Sequence, residues 1–117
     1  MTTRRIAVVT AGLSNPSSTR LLADRLAEAV RAQLAEREIE VGADVIELRE
    51  HAHAITDNLL TGFARRGLAE AIETVTSADA LIAVTPIFTT SYSGLFKSFL
   101  DILDPDSLRG MPVLLAA

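Results

Sequence analysis

Apolar and polar residues follow two different periods along the first half of the chain, which predicts that strands and helices alternate. Residues 5–11 are a continuous, β-branched apolar run bounded by Gly12, as in a strand buried on both faces. From about residue 18 to residue 38, apolar residues recur every four positions and predict a long amphipathic helix; they are Leu22, Leu26, Val30 and Leu34. After Gly42, residues 43–48 alternate more clearly and predict an outer strand.

The second half of the chain repeats this alternation. Residues 49–60 show no clear period and are interpreted as a connection, whereas the apolar positions from Ala64 to Val75 predict a second helix that ends near Ser77. Residues 80–85 predict a buried strand that Pro86 stops, because proline cannot donate to a sheet. A loop at 86–92 leads to a third helix, whose inward residues would be Leu95, Phe96, Phe99, Leu100 and Leu103.

A fourth apolar run closes the pattern after Gly110, and residues 113–117 are predicted to form the fourth strand. The order β-α-β-α-β-α-β favours an α/β fold, in which helices cover both faces of a parallel sheet. One domain is expected at a length of 117 residues.

Composition and charge exclude several classes of protein. The chain has no cysteine, so it carries no disulfide framework, thiol nucleophile or cysteine zinc site. A net charge of −4 argues against nucleic acid as a partner. No apolar run reaches the length of about 18 residues that a membrane span needs, and no signal-peptide core is recognised. A cytoplasmic protein with no membrane association is expected.

Polar chemistry concentrates first in residues 12–20, between the first strand and the first helix. Four hydroxyl residues and Arg20 lie here, where free backbone N–H groups and the helix dipole attract a phosphate. The segment lacks both G-x-G-x-x-G and G-x-x-x-x-G-K-[ST], which disfavours a dinucleotide bound in Rossmann fashion and a triphosphate with magnesium. A single monophosphate suits it better. The alternative is that Ser17 or Ser18 serves only as a helix N-cap.

The second candidate segment, residues 85–94, follows the third strand. Four of the five aromatic residues of the chain lie between positions 88 and 99. The helical spacing of Phe96 and Phe99 assigns them to the core, but Phe88 and Tyr92 lie in the loop and suit a flat heteroaromatic ligand. The alternative is that these two residues merely cover the edge of the sheet.

These two segments give the chain its resemblance to a known family. It resembles the NADPH-dependent FMN reductases of the flavodoxin-like superfold, and within them the small flavin reductases that supply reduced flavin to luciferase-like monooxygenases. The residues that carry the resemblance are Gly12-Leu13-Ser14-Asn15-Pro16-Ser17-Ser18-Thr19-Arg20 and Thr85-Pro86-Ile87-Phe88-Thr89-Thr90-Ser91-Tyr92-Ser93-Gly94-Leu95-Phe96-Lys97. Two positions depart from the family pattern: Leu13 separates Gly12 from Ser14, and Phe88 replaces the more usual tyrosine.

The resemblance implies a function and a set of binding residues. The phosphate of FMN would be held by Ser14, Ser17, Ser18, Thr19 and Arg20. The isoalloxazine ring would be lined by Pro86, Ile87, Phe88, Thr89, Ser91 and Tyr92. NADPH or NADH would pass hydride to the flavin, so the cofactor carries the chemistry and no catalytic side chain or metal is named. The family also implies a homodimer or homotetramer and a flavin-dependent monooxygenase as a possible partner.

Three other functions were weighed against this one. A flavodoxin-type electron carrier, or a truncated flavin-binding domain without reductase activity, remains an alternative that NADPH consumption would distinguish. A signalling receiver domain is excluded, because the acidic residues that it needs after strands one and three are replaced by Thr10-Ala11-Gly12 and Thr85-Pro86. His51 and His53 offer only two ligands of the three or four that a metal site requires.

The number of strands is smaller than the superfold requires. A flavodoxin-like sheet has five parallel strands in the order 2-1-3-4-5, and the chain supplies four. We therefore expect a doubly wound sheet of order 2-1-3-4 without the fifth strand, in a single FMN-binding domain over residues 1–117 that is incomplete at the C-terminus. The fourth strand would then lie at an edge, where unpaired backbone groups invite association.

Overall fold

The structure is a computed structural model that describes residues 2–13, 18–88 and 91–117, with residues 88, 91 and 92 described in their backbone only. Strands and helices alternate as the sequence predicts, with four short elements added: a 3-10 helix, a helix after it and the two strands of a hairpin. The elements are β1 (Thr2–Thr10), α1 (Ser18–Ala35), β2 (Ile39–Glu47), a 3-10 helix (Leu48–His51), α2 (Ala52–Thr61), α3 (Arg66–Thr76), β3 (Ala80–Val84), β4 (Ile87–Phe88), β5 (Ser91–Tyr92), α4 (Gly94–Asp101) and β6 (Val113–Ala116).

The main sheet has four parallel strands in the order β2-β1-β3-β6. β1 pairs along its whole length with β2 and over Ile6 to Thr10 with β3. β6 is the strand that the sequence predicts as the fourth, so the predicted order 2-1-3-4 is confirmed. This order is that of the first four strands of a flavodoxin-like sheet.

Side chains on the two faces of the sheet build two separate cores. Because successive side chains of a strand point to opposite faces, Ile6 and Val8 of β1 pack toward α1, while Ala7 and Val9 pack toward the other helices. The second core is the larger and contains the most bulky buried side chains, among them Leu48, Ile55, Leu68, Val75 and Phe99. The prediction that Phe96 and Phe99 belong to the core is confirmed.

Three local predictions are wrong. Residues 49–60 form the 3-10 helix and most of α2, not an irregular connection; Ile55 is the only buried residue of α2, so the segment lacks the apolar stripe that marks a helix in sequence. α2 ends at Thr61, and the next residue, Gly62, has a φ of 80°, the left-handed conformation that glycine adopts just after helix ends. α1 ends at Ala35 rather than near Glu38, and Glu38 itself has a φ of 60°. The loop at 86–92 contains the short hairpin β4–β5.

The β6 edge of the sheet is apolar and open. Val113, Leu114 and Leu115 are all exposed, and Leu115 keeps 67% of its surface accessible. Backbone bonds from Leu81 N–H to the Pro112 carbonyl and from Thr85 N–H to the Ala116 carbonyl hold this strand to β3. Among the described residues, no helix combines the length and the apolar character that a membrane crossing requires.

Candidate functional site

The two segments singled out in the sequence leave the sheet at neighbouring points. Thr10 and Val84 are partners in the register of β1 and β3, and the Ala11 N–H donates to the Val84 carbonyl at 2.9 Å just beyond the end of β1. Both strands therefore end at the same edge of the sheet and release their loops side by side. Ligands of doubly wound folds bind at this carboxyl edge.

The first segment runs into the start of α1. Ser18 and Thr19 occupy the first turn of this 18-residue helix, with Ser18 exposed and Thr19 half-buried. Their hydroxyls and the free N–H groups of the helix start are the donors that a phosphate needs. Ser14 and Ser17 lie outside the described residues, and the N-cap role of Ser17 or Ser18 stays a prediction.

Arg20 lies in ion pairs on the same side of the site. Its Nε donates to Asp24 Oδ1 at 2.9 Å, and its Nη1 lies 3.3 Å from Glu47 Oε2 at the end of β2. The hydrogen bond to Asp24, more than the nearby charge of Glu47, raises the pKa of Arg20 above its ordinary value, so the guanidinium stays charged. Asp24 is visible in the sequence as an i,i+4 partner. Glu47 becomes a partner only through the pairing of β1 and β2, which the sequence does not display.

Thr10 is a buried polar residue of this edge that sequence reasoning did not single out. It continues the face of β1 that packs toward α1, between Glu47 of β2 and Val84 of β3 in the register. The residue is 2% exposed, and its Oγ1 has no hydrogen-bond partner among the residues that the structure describes. A buried hydroxyl without a partner is unfavourable, which makes this position a sensitive one.

The second segment carries the hairpin β4–β5. Ile87 pairs with Tyr92 and Phe88 with Ser91, so four of the six residues predicted to line a flavin ring lie in the strands of one short hairpin. Pro86 is half-buried and Ile87 is 55% exposed. Thr89 and the side chains of Phe88, Ser91 and Tyr92 lie outside the described part of the chain.

Two buried hydroxyl residues join the two ends of this hairpin. Thr85 precedes it and Ser93 follows it, and they are 8% and 1% exposed. The Ser93 N–H donates to Thr85 Oγ1 at 3.1 Å, and the two hydroxyl oxygens lie 3.3 Å apart. Ser93 Oγ also accepts the Phe96 N–H at 3.1 Å and so caps α4. Both residues lie within the second motif segment, but their sequence positions give no sign of this contact.

A cavity of about 300 Å³ opens beside Thr85 at the same edge. It is lined by Thr85, Ile87, Phe96, Leu115, Ala116 and Ala117. A larger cavity of about 420 Å³ lies at the start of β2, at the opposite end of the sheet, lined by Arg31, Ala35, Ile39, Glu40 and Val41. We assign the site to the carboxyl edge, because the strand topology and both polar segments meet there.

The metal alternative receives no support from the geometry. Within residues 2–13, 18–88 and 91–117, no group of three or more histidine, aspartate or glutamate side chains is placed to hold a metal ion. His51 ends the 3-10 helix that follows β2, and His53 lies in the first turn of α2.

Comparisons with known proteins show the family to which the chain belongs. The model of the family described as NADPH-dependent FMN reductase matches residues 4–117. The chain is 34% identical to the NADH-dependent FMN reductase SfnF of Pseudomonas putida over 97% of its own length and 59% of that protein. It is 32% identical to an FMN reductase (NADPH) of Pseudomonas aeruginosa, over 97% and 58% of the two lengths. The chain thus spans less than two thirds of these relatives.

Solved structures give the same result for the fold. An oxidoreductase from Corynebacterium diphtheriae superposes with a TM-score of 0.95 at 41% identity, covering 99% of this chain and 64% of that one. The apo form of the NADH:FMN oxidoreductase EMOB superposes with a TM-score of 0.80 at 31% identity, covering 97% and 57%. The predicted flavodoxin-like fold is therefore confirmed.

Proposed function

Because the chain belongs to the family of NADPH-dependent FMN reductases, we propose that the protein transfers hydride from NADPH or NADH to FMN. The observation that carries the proposal is the meeting of the two motif segments at adjacent ends of β1 and β3. The start of α1 follows the first of these strand ends along the chain, and the β4–β5 hairpin follows the second. One end of FMN is an anion and the other is a flat ring, and these two elements have the matching chemistry.

The residues present fit FMN in three respects. The start of α1 offers N–H groups and the hydroxyls of Ser18 and Thr19 to a phosphate. The β4–β5 hairpin and Pro86 before it supply the residues proposed to line the ring. The cavity beside Thr85 is mainly apolar, as a site for a flat ring requires.

The chain itself contributes binding and orientation. FMN, when bound, supplies the acceptance of hydride and the onward passage of electrons. Ser18, Thr19 and Arg20, with Ser14 and Ser17, would hold the phosphate, and Arg20 would do so while its guanidinium also bonds Asp24. Residues Pro86, Ile87, Phe88, Thr89, Ser91 and Tyr92 would line the ring. No side chain of this set needs to gain or lose a proton for hydride transfer, so catalysis rests on positioning.

Flavin binding and nicotinamide oxidation test the proposal together. Purified protein titrated with FMN should show saturable binding that is much tighter than its binding of riboflavin, because riboflavin lacks the phosphate. Ser18→Ala should weaken FMN binding severalfold, whereas Ser77→Ala, which removes a surface hydroxyl bonded to the Glu73 carbonyl, should not. Oxidation of NADPH or NADH should require FMN.

Two results would contradict the proposal in different ways. A folded protein that binds no FMN would refute the cofactor assignment. A protein that binds FMN but oxidises neither nicotinamide would be a carrier or an inactive flavin-binding domain, which are the alternatives to a reductase.

The proposal extends to partners and assembly. Reduced flavin would pass to a flavin-dependent monooxygenase in the cytoplasm of the source cell. A coupled assay with such an enzyme would test this transfer. A homodimer or homotetramer is supported by the exposed apolar side chains of Leu60 and Phe63 at the end of α2. Light scattering after size exclusion would measure the mass; a strict monomer at micromolar concentration would contradict the assembly.

The proposal also includes an incomplete domain. The exposed apolar side chains and unpaired outer edge of β6 support a fifth strand on that side, outside residues 1–117. Hydrogen exchange of the 117-residue chain would test this. Amides on the outer side of residues 113–116 should exchange rapidly, whereas strong protection would show that the edge is already covered.

A further inference from the structure

Thr85 and Ser93 form a pair of buried hydroxyls at the base of the β4–β5 hairpin, and the proposed function gives them no role. The hairpin segment between them, residues 86–92, includes all the residues assigned to the ring of the flavin. The pair closes this segment with one backbone-to-hydroxyl bond of 3.1 Å and a hydroxyl contact of 3.3 Å. The Thr85 hydroxyl also lies within hydrogen-bond distance, 3.1 Å, of the Pro86 carbonyl.

We propose that Thr85 and Ser93 are positioning residues that fix the hairpin in the conformation that receives the flavin ring, a role that rests on the proposed function. They act through the hairpin and do not need to touch the ring themselves. The pair is referred to below as the hydroxyl clamp.

Both members of the hydroxyl clamp are anchored to rigid elements on the outside of the hairpin. The Thr85 N–H donates to the Ala116 carbonyl at 3.1 Å, which ties the clamp to β6. Ser93 is the N-cap of α4: its Oγ accepts the Phe96 N–H, and its carbonyl accepts the Lys97 N–H at 3.2 Å. One end of the hairpin is therefore bonded to β6 and the other to the start of α4, and the clamp sets the distance between the two ends of the hairpin.

Burial makes the hydroxyl clamp selective for one geometry. Thr85 and Ser93 are almost inaccessible to water, so a movement that separates them leaves polar groups without replacement partners. An exposed pair would lose little by opening, because water would take over its bonds. The clamp therefore favours one arrangement of the hairpin before any ligand binds, and pre-organisation of this kind increases affinity by lowering the ordering cost of binding.

Valine at position 85 separates the positioning role from a role in folding alone. Thr85→Val keeps the shape of the side chain and removes the hydroxyl, whereas Thr85→Ser keeps the hydroxyl and should rescue. Val75→Ala is the matched control: Val75 is fully buried in α3 near the amino end of β3, so the change destabilises the fold at the opposite end of the sheet. FMN affinity and the absorption spectrum of the FMN-saturated protein are measured at a temperature where every variant is folded.

We expect FMN affinity to fall when the hydroxyl at position 85 is removed, and not when the fold alone is destabilised. Thr85→Val should weaken FMN binding about tenfold, equivalent to about 1.4 kcal/mol, and should alter the visible band of the bound ring. Thr85→Ser and Val75→Ala should stay within about twofold of the unmodified protein, with its spectrum. If Thr85→Val does not fold, Ser93→Ala should give the same loss and the same spectral change.

The outcomes that overturn the hydroxyl clamp are distinct. An unmodified protein that binds no FMN refutes the proposed function and the clamp with it. Normal binding by the unmodified protein, with affinity and spectrum unchanged in Thr85→Val, refutes the clamp alone. Equal losses in Thr85→Val and Val75→Ala would assign the effect to general stability and also refute it.

Discussion

Replacement of Thr10 by valine should stabilise the protein, although the residue lies at the candidate site. Thr10 is 2% exposed, and its hydroxyl has no partner among the described residues. Valine has nearly the same shape and puts a methyl group where the hydroxyl lies, next to Val84 on the face of the sheet that packs against α1. The substitution therefore removes an unfavourable buried polar group without opening a cavity.

The size of the effect follows from the cost of an unpaired buried hydroxyl. Such a group costs about 1–3 kcal/mol, so Thr10→Val should raise the free energy of unfolding by about 1–2 kcal/mol. For a domain of this size, 1 kcal/mol corresponds to a shift in the melting temperature of about 4 °C. A gain of about 4–8 °C is expected in the absence of FMN.

Thr85→Val should change the free energy of unfolding in the opposite direction. Thr85 is also buried, but its hydroxyl accepts the Ser93 N–H, so valine there strands a buried donor and should lower stability by about 2 kcal/mol. Urea and thermal unfolding of the two variants should move in opposite directions with the same urea dependence. If Thr10→Val lowers stability as Thr85→Val does, the Thr10 hydroxyl has a partner and the reasoning is wrong.

Two further predictions concern positions outside the site, and a third concerns the open β6 edge beside it. Glu38→Gly should raise stability by about 0.5–1 kcal/mol, because the φ of 60° at Glu38 costs a residue with a side chain about 1–2 kcal/mol, more than glycine loses in chain entropy. Thermal unfolding measures the change, and a lower melting temperature would contradict the prediction. Asp79→Ala should lower stability by about 0.5–1 kcal/mol, since Asp79 Oδ2 accepts the Arg5 N–H at 2.8 Å. Asp79→Asn, which keeps an acceptor, should lower stability less, and equal losses of stability in the two variants would show that the hydrogen bond is unimportant. Leu115→Lys on the open edge should reduce association of the 117-residue chain at high concentration, measured by light scattering, without changing its circular dichroism; unchanged association would place the contact elsewhere.

The sheet could be predicted from sequence because its signals are local. β1, β3 and β6 contain apolar runs that are visible in the sequence, and the strand order is the one that the resemblance to the flavodoxin-like superfold implies. α2 could not be predicted in this way. It buries only Ile55 and leaves Leu59 and Leu60 exposed, so its apolar residues do not form the stripe that identifies a packed helix.

The two segments of the candidate site could be predicted from the sequence, but the contacts between their residues and the rest of the fold could not. The hydroxyl-rich start of α1 and the aromatic loop after β3 are visible in sequence, and the pairing of β1 with β3 brings them together. The contacts that set their geometry are long-range. Glu47 contacts Arg20 of α1 from the end of β2. Thr85 contacts Ser93 only because the chain between them folds back as a hairpin. Neither contact has a fixed sequence spacing from which it could be inferred.

The pairing of Arg20 changes how the phosphate segment would attract an anion. In the sequence, Arg20 is the one cation among neutral hydroxyls and suggests attraction by net charge. In the structure, its guanidinium contacts the carboxylates of Asp24 and Glu47, so the local charge is already compensated. Attraction of a phosphate would then rest more on the oriented N–H groups at the start of α1 and on neutral hydroxyls than on a free cation. Arginine has five donors and can bond carboxylate partners and a phosphate together, so under the proposed function Arg20 would link α1 and β2 to the phosphate and not act only as a counter-ion.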